Sequence, residues 1–209
     1  MKKAGFIIFI VLFIDQLSKF YVKTHFALDE HINILGINWA RIHFTENMGA
    51  AWGFQLNDFL TFLSDTQSKI ILTTFRLFAI AGIGYWLVSS IKKYASKILI
   101  VAVSLIFAGA IGNIIDSVFY GVLFEESSKE IQNIATFLPK NGGYSSLFHG
   151  RVVDMLYFPM WSGNLPSWMP FVGGKYFTFF NAIFNVADFA ISCGVGLLVL
   201  FNKRAFPKD

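Results

Sequence analysis

Charge is what this sequence has least of. Only 14% of its 209 residues are Asp, Glu, Lys or Arg, where an ordinary soluble domain carries about a quarter. That shortage excludes a disordered chain, and it excludes a nucleic-acid-coating protein despite a formal net charge of +4. Cysteine is scarcer still. Cys193 stands alone, so neither an intramolecular disulfide nor a cysteine-based metal cluster is expected. The four histidines (His25, His31, His43, His149) show no zinc-like spacing such as HExxH. No metal and no cofactor is expected. A G-x-S-x-G nucleophile elbow and a G-x-x-x-x-G-K phosphate loop are also missing.

What is present is apolar: 55% of the residues, with 25 Phe, gathered in blocks. Four blocks stand out, at about 5–21, 70–91, 98–118 and 177–201. Twenty helical residues rise about 30 Å, the thickness of a bilayer's hydrocarbon core. Each block is near that length. The opening MKK and its apolar run imitate a secretory signal peptide, but DQLSK follows where a small-residue cleavage site would stand. The segment is therefore expected to remain as a first span.

Orientation follows from the short flanks. With the N-terminus inside, the inner segments hold Lys2, Lys3, Lys92, Lys93, Lys97, Lys203, Arg204 and Lys208, against one acid, Asp209. The remaining nine basic residues are diluted over long loops or sit at span ends, and the rule concerns density in short flanks. Both termini are therefore expected in the cytoplasm. Two outer loops follow, about 22–69 and 119–176. The first, with INILGINWARIHFTENMGAAWGF, has strand-forming residues, a turn signal at Gly36 and a small-residue run. The second is rich in Gly, Pro and Ser, with aromatics suited to a membrane interface. The expected architecture is a single domain over 1–209. It is an all-α integral membrane bundle of four transmembrane helices with a small β-rich extracytoplasmic subdomain.

An ionisable side chain inside a span is costly and marks function by default. Asp15 lies four residues before Lys19, a spacing that puts both on one helix face and reads as a structural ion pair. Gly109, Asn113 and Asp116 follow i, i+4, i+7, with Gly112 beside them, giving the third span a small and polar face. Asn181, Asn185, Asp188 and Ser192 form a similar stripe on the fourth. Asp154 sits in the apolar run VVDMLYFPM. Two carboxyls close together in a low-dielectric site share one proton, so one is acid while the other is base. Such a pair can activate water and protonate a leaving amide nitrogen. Pattern alone leaves open which two of Asp116, Asp154 and Asp188 do this.

Five blocks then occur in order: DQLSK at 15–19, TENMGAAWG at 45–53, AGAIGNIID at 108–116, RVVDM at 151–155 and FNVAD at 184–188. Together they resemble the bacterial lipoprotein signal peptidases, the type II signal peptidases. The resemblance spans nearly the whole chain except much of 119–176. It implies a multi-pass aspartyl protease of the bacterial cytoplasmic (inner) membrane, with its active site toward the extracytoplasmic face. Its substrate would be a prolipoprotein carrying a diacylglyceryl group on cysteine, cut just before that cysteine. The resemblance implies Asp154 and Asp188 as the catalytic pair. It leaves Asp15, Lys19, Asn47, Gly49, Ala50, Gly109, Asn113, Asp116, Asn185 and Ala187 as binding or supporting residues.

The partners expected are that substrate and membrane lipid, with no nucleic acid, and the default state is a monomer. The small residues after Asn47 would let a substrate backbone come close, and the glycine face of the third span would help make room for it. Two features depart from the resemblance. The family usually follows GNxxD with arginine, where this chain has Ser117, and Arg151 is the expected substitute. The stretches between Asp116 and Asp154 and between Asp154 and Asp188 are enlarged, as an outer lid, a docking surface or decoration. The rival readings are a small proton-coupled transporter using the buried Asp/Asn stripes, and a structural subunit packed through its glycine faces.

Overall fold

The computed structural model describes residues 1–47 and 64–207. Its first helix, α1 (Lys2–His25), turns the usual pattern inside out. Phe6, Phe9, Phe13 and Leu17 are exposed, while Asp15, Lys19 and Lys23, at i, i+4, i+8, are fully buried. That is the arrangement of a helix whose outer solvent is lipid and whose polar face meets protein. Helix α2 (Asp65–Lys92) opens on a capping box between Ser64 and Gln67, which satisfies two orphan backbone donors. In α3 (Lys97–Ile115), the Ser96 hydroxyl caps the start by accepting from the Leu99 N–H at 3.1 Å. The helix then widens into a π-turn over Asp116–Tyr120 and ends in α4 (Gly121–Leu123). Such bulges recur at functional sites. Among the described residues, three helices are long and apolar enough to cross a membrane, at Lys2–His25, Thr66–Lys92 and Lys97–Leu123.

The fourth apolar block does not form one helix. A helix over 177–201 was expected, but helix starts only at Val186, giving α5 (Val186–Leu200), followed by the short α6 (Asn202–Ala205). The alternating aromatics before it pair as strands instead, which suits their β preference. Strand β4 (Trp161–Asn164) pairs with β5 (Tyr176–Phe179) as a hairpin. The main sheet is antiparallel in the order β1 (His31–Asn33), β2 (Arg41–Asn47), β3 (Val152–Tyr157), β6 (Ile183–Phe184). Asn181 therefore leaves the helical stripe and accepts a hydrogen bond from the Tyr157 hydroxyl at 2.8 Å.

Two packing features place the site. Val22, Phe26, Phe44, Tyr120, Phe124, Val153 and Met155 form one buried cluster that joins the end of α1, the π-turn and the sheet. Beside it, α3 and α5 cross almost backbone to backbone. A Cβ on Gly109 would strike the Ala187 carbonyl, one on Gly112 would lie 2.6 Å from Asp15 Oδ2, and one on Gly194 would lie 2.6 Å from the Ala102 carbonyl. The face of α3 expected to make room for substrate is thus filled at Gly109 by α5.

The enlarged stretch after α4 is folded back on the helix end. Backbone N–H groups of Leu138, Ser145, Phe148 and Gly150 donate to the carbonyls of Leu123, Gly121, Val118 and Ser117 at 2.7–3.0 Å. These carbonyls belong to the last turns of the α3–α4 rod, where helical partners run out. Any side chain at Gly150 would strike the Asp116 carbonyl.

Candidate active site

Five of the expected residues meet in a buried cluster at the centre of the bundle. The Lys19 ammonium lies 3.0 Å from Asp15 Oδ2, 2.8 Å from Asp116 Oδ2 and 3.0 Å from Asn113 Oδ1. An ammonium has three donors, and all three are used. Asp15 also accepts from the Ala187 N–H at 2.8 Å, so α1 caps the start of α5. Asp116 accepts from the Val153 N–H at 3.2 Å, which pins β3 one residue before Asp154. Gln16, absent from the expected set, joins in by donating to Asp116 Oδ1 at 3.0 Å and to the Gly112 carbonyl at 3.2 Å.

Asp154 and Asp188 lie on the other side of Asn113 and Asn185. Asp154 projects from β3 and is 4% exposed. Asp188 sits in the first turn of α5, where it and Asn185 form a capping box. That box explains why the helix starts where it does: Asn185 Oδ1 accepts from the Asp188 N–H at 2.9 Å, and Asp188 Oδ2 accepts from the Asn185 N–H at 3.4 Å. The same Asn185 side chain donates through Nδ2 to Asp154 Oδ1 at 2.7 Å. One fully buried asparagine thus touches both acids.

Asn113 donates to Asp188 Oδ1 at 2.7 Å while its oxygen faces Lys19 and Asn185. Chemistry fixes this orientation, because an ammonium can only donate and a carboxylate only accept. Asn47, the last residue of β2, donates to Asp154 Oδ2 at 3.4 Å. Gly49 and Ala50 lie outside the described residues. Burial first, and the charge of Asp188 second, push the Asp154 carboxyl up to about 7.

Arg151 is turned elsewhere. Its guanidinium binds Glu46 at 3.3 Å and Glu126 at 3.0 Å and stacks over Tyr144, 5.2 Å from the ring centroid. Buried Lys23 binds the same Glu46 and donates to Ser127 Oγ at 3.0 Å. This network ties the enlarged loop to α1 and β2. The side chain that reaches Ser117 is Arg76 of α2, with Nη1 3.3 Å from the hydroxyl. The sequence carried a signal for it: Lys69, Thr73 and Arg76 follow i, i+4, i+7 in the second apolar block, the spacing that singled out the other stripes.

The family profile described as signal peptidase (SPase) II matches residues 7–203. A lipoprotein signal peptidase of Porphyromonas gingivalis is 42% identical over 204 residues, covering 97% of this chain and 84% of that protein. One from Amoebophilus asiaticus is 37% identical over 195 residues, covering 92% and 73%. A solved structure described as a bacterial membrane enzyme aligns over 100% of this chain and 93% of its own, with TM-score 0.60 at 23% identity. That last likeness speaks for the fold alone.

Proposed function

The chain belongs to the signal peptidase II family and removes signal peptides from prolipoproteins, and on that premise we propose that its cutting pair is Asp154 and Asp188. The observation that carries the proposal is Asn185, which donates to Asp154 at 2.7 Å and forms the reciprocal cap with Asp188. Both carboxyls are thus held by one residue, and the charge of Asp188 is felt at Asp154.

Asp154, held up to about 7 by burial and by its neighbour, is the member that carries the shared proton at rest. Asp188 takes a proton from water as the water oxygen bonds to the scissile carbonyl carbon. The tetrahedral centre then reforms its carbonyl, the C–N bond breaks, and the electron pair goes to nitrogen. Asp154 gives that nitrogen its proton. One water is consumed and the two acids end with their roles exchanged. Asn113, Asn185 and Asn47 hold the carboxyls in place, and Asn47, at the end of β2 beside Asp154, lies where an extended substrate would pass.

The protein is a membrane protease of the bacterial cell. Its finer placement is part of the same proposal. Short α5 completes a fourth span, both termini face the cytoplasm as the basic flanks indicate, and the sheet with the acid pair lies toward the extracytoplasmic face. The enzyme acts as a monomer among membrane lipids and cuts just before the lipid-modified cysteine. Nothing in the comparisons favours the transporter reading. The test is cleavage of a lipidated prolipoprotein by purified enzyme. Asp154→Asn and Asp188→Asn should each lose about 10³-fold or more in rate while still unfolding at or above the parental temperature. Parental cleavage by either variant rejects the pair.

A further inference from the structure

Outside the two acidic clusters, α2 also carries charge into an apolar helix. Its inward face is polar: Ser68, Lys69 and Thr73 are buried, while Ile71, Phe75 and Phe78 are exposed on the other side. Thr73 Oγ1 lies 3.5 Å from the Phe148 carbonyl. One helical turn further on, Arg76 Nη1 donates to Ser117 Oγ at 3.3 Å, and Ser117 Oγ donates to the Asn113 carbonyl at 3.1 Å. Asn113 in turn is the residue that donates to Asp188. The guanidinium is therefore docked on the π-turn, next to Asp116 and one residue removed from the acid pair.

Most other cations near the pair are matched to carboxylates of their own. Lys19 of α1 is held by Asp15 and Asp116. Lys23 of α1 and Arg151, just before β3, are held by Glu46 of β2. Lys69, on the same face of α2, acts on Asp116 and Glu46. The acids on which the Arg76 charge acts are Asp188 first, Asp154 second and Asp116 third. A guanidinium keeps its charge at any working pH, and in a water-poor site that charge is felt strongly.

We infer that Arg76 is a positioning residue for the acid pair: delivered from α2 onto Ser117, its guanidinium supplies the positive potential that lets Asp154 and Asp188 keep one negative charge between them. The inference rests on the assignment of that pair. It gives α2 a part in the chemistry beyond its apolar length.

The experiment measures kcat and KM from about pH 5 to 9 on a lipidated prolipoprotein, together with unfolding temperature. A nearby positive charge lowers carboxyl pKa values by about 1–3 units. Arg76→Gln should therefore move both limbs of the pH profile upward by about one unit or more. Its kcat near neutrality should fall about tenfold, with KM within about twofold, the pattern of a lost transition-state effect. Arg76→Lys keeps the charge and should return the limbs to their parental positions. The double variant Arg76→Gln/Ser117→Arg, which brings a guanidinium to the same place from α3, should do so as well. A folded Arg76→Gln enzyme with parental limbs, or with a change in KM alone, overturns the inference. If Arg76→Gln does not fold, Arg76→Lys decides: parental limbs uphold the role of the charge and displaced limbs overturn it. Inactive Asp154→Asn and Asp188→Asn beside a parental Arg76→Gln profile would remove Arg76 only. Active aspartate variants would remove the pair itself.

Discussion

Asp15 and Asp116 meet across the Lys19 ammonium, whereas Asp154 and Asp188 meet across Asn185, whose side chain donates to the first and whose backbone N–H donates to the second. Both are pairs of acids in a chain only 14% charged, and each draws on residues three or four apart in sequence, Asp15 with Lys19 and Asn185 with Asp188. The linker is what differs. A lysine between two acids supplies charge as well as hydrogen bonds, so the cluster is closed: three donors, three acceptors, complete burial. It fastens α1, α3, α5 and β3 to one another. An asparagine supplies hydrogen bonds without charge. It brings two acids together and leaves their mutual repulsion in place, so a proton has to stay with them. The first arrangement suits a clamp and the second a proton-transfer site. Asn113 is the joint, since its oxygen faces Lys19 and its nitrogen donates to Asp188.

The comparison breaks most visibly at Lys19. Lys19→Met leaves two buried acids facing each other without their cation, at a cost of about 3–5 kcal/mol. Thermal unfolding in detergent should show a large drop or no folded protein, and Lys19→Met/Asp116→Asn should recover part of it. A single variant that unfolds at the parental temperature would mean the cluster is no clamp. Asn113→Ala tests the joint. Hydrogen bonds to charged groups are worth about 1.5–3 kcal/mol, so kcat should fall about tenfold to a hundredfold, and the unfolding temperature should fall as well. If only activity moves, the two clusters are independent of one another.

Much of this was legible because lipid reverses the usual rules. In a soluble helix a polar stripe says little, but in an apolar block the stripes Asp15–Lys19 and Asn113–Asp116 point to faces turned toward protein, and the structure has Asp15, Lys19 and Asp116 buried and Asn113 half-buried. The same logic applied to Lys69, Thr73 and Arg76 finds the stripe on α2. The start of α5 was less legible. Apolar length cannot distinguish a span from aromatic strands leading into one, and the capping box of Asn185 and Asp188 was the local signal that helix begins there. Arg151 looked available because it stands three residues before Asp154. Along a strand that offset points the two side chains to opposite faces, and the guanidinium goes to Glu46 and Glu126. The fold of the 124–150 loop was not legible at all, since its backbone bonds to the α3–α4 end depend on which carbonyls are left without helical partners.

The smallest effect separates the two clusters by pH. The Asp154 carboxyl stands near 7 when folded, above its usual carboxylate range, so between those values the folded chain holds a proton that the unfolded chain has lost. Stability contributed by that proton is present in acid and is lost as pH rises toward the folded value. Asp154→Asn has no proton to lose. It should therefore unfold at a higher temperature than the parent at pH 8, by a margin on the order of 1 kcal/mol, because the amide oxygen can still accept from Asn185, although the amide nitrogen loses the longer bond from Asn47. The margin should shrink as pH falls and vanish near pH 4, where the parental acid is protonated in both states. A variant that gains activity loss without this alkaline gain in stability would show that Asp154 is not under electrostatic load, and the distinction between clamp and proton-transfer pair would then rest on Lys19 alone. The expected result is the ordinary cost of a working site, in which the acid that does the chemistry is kept at the expense of the fold.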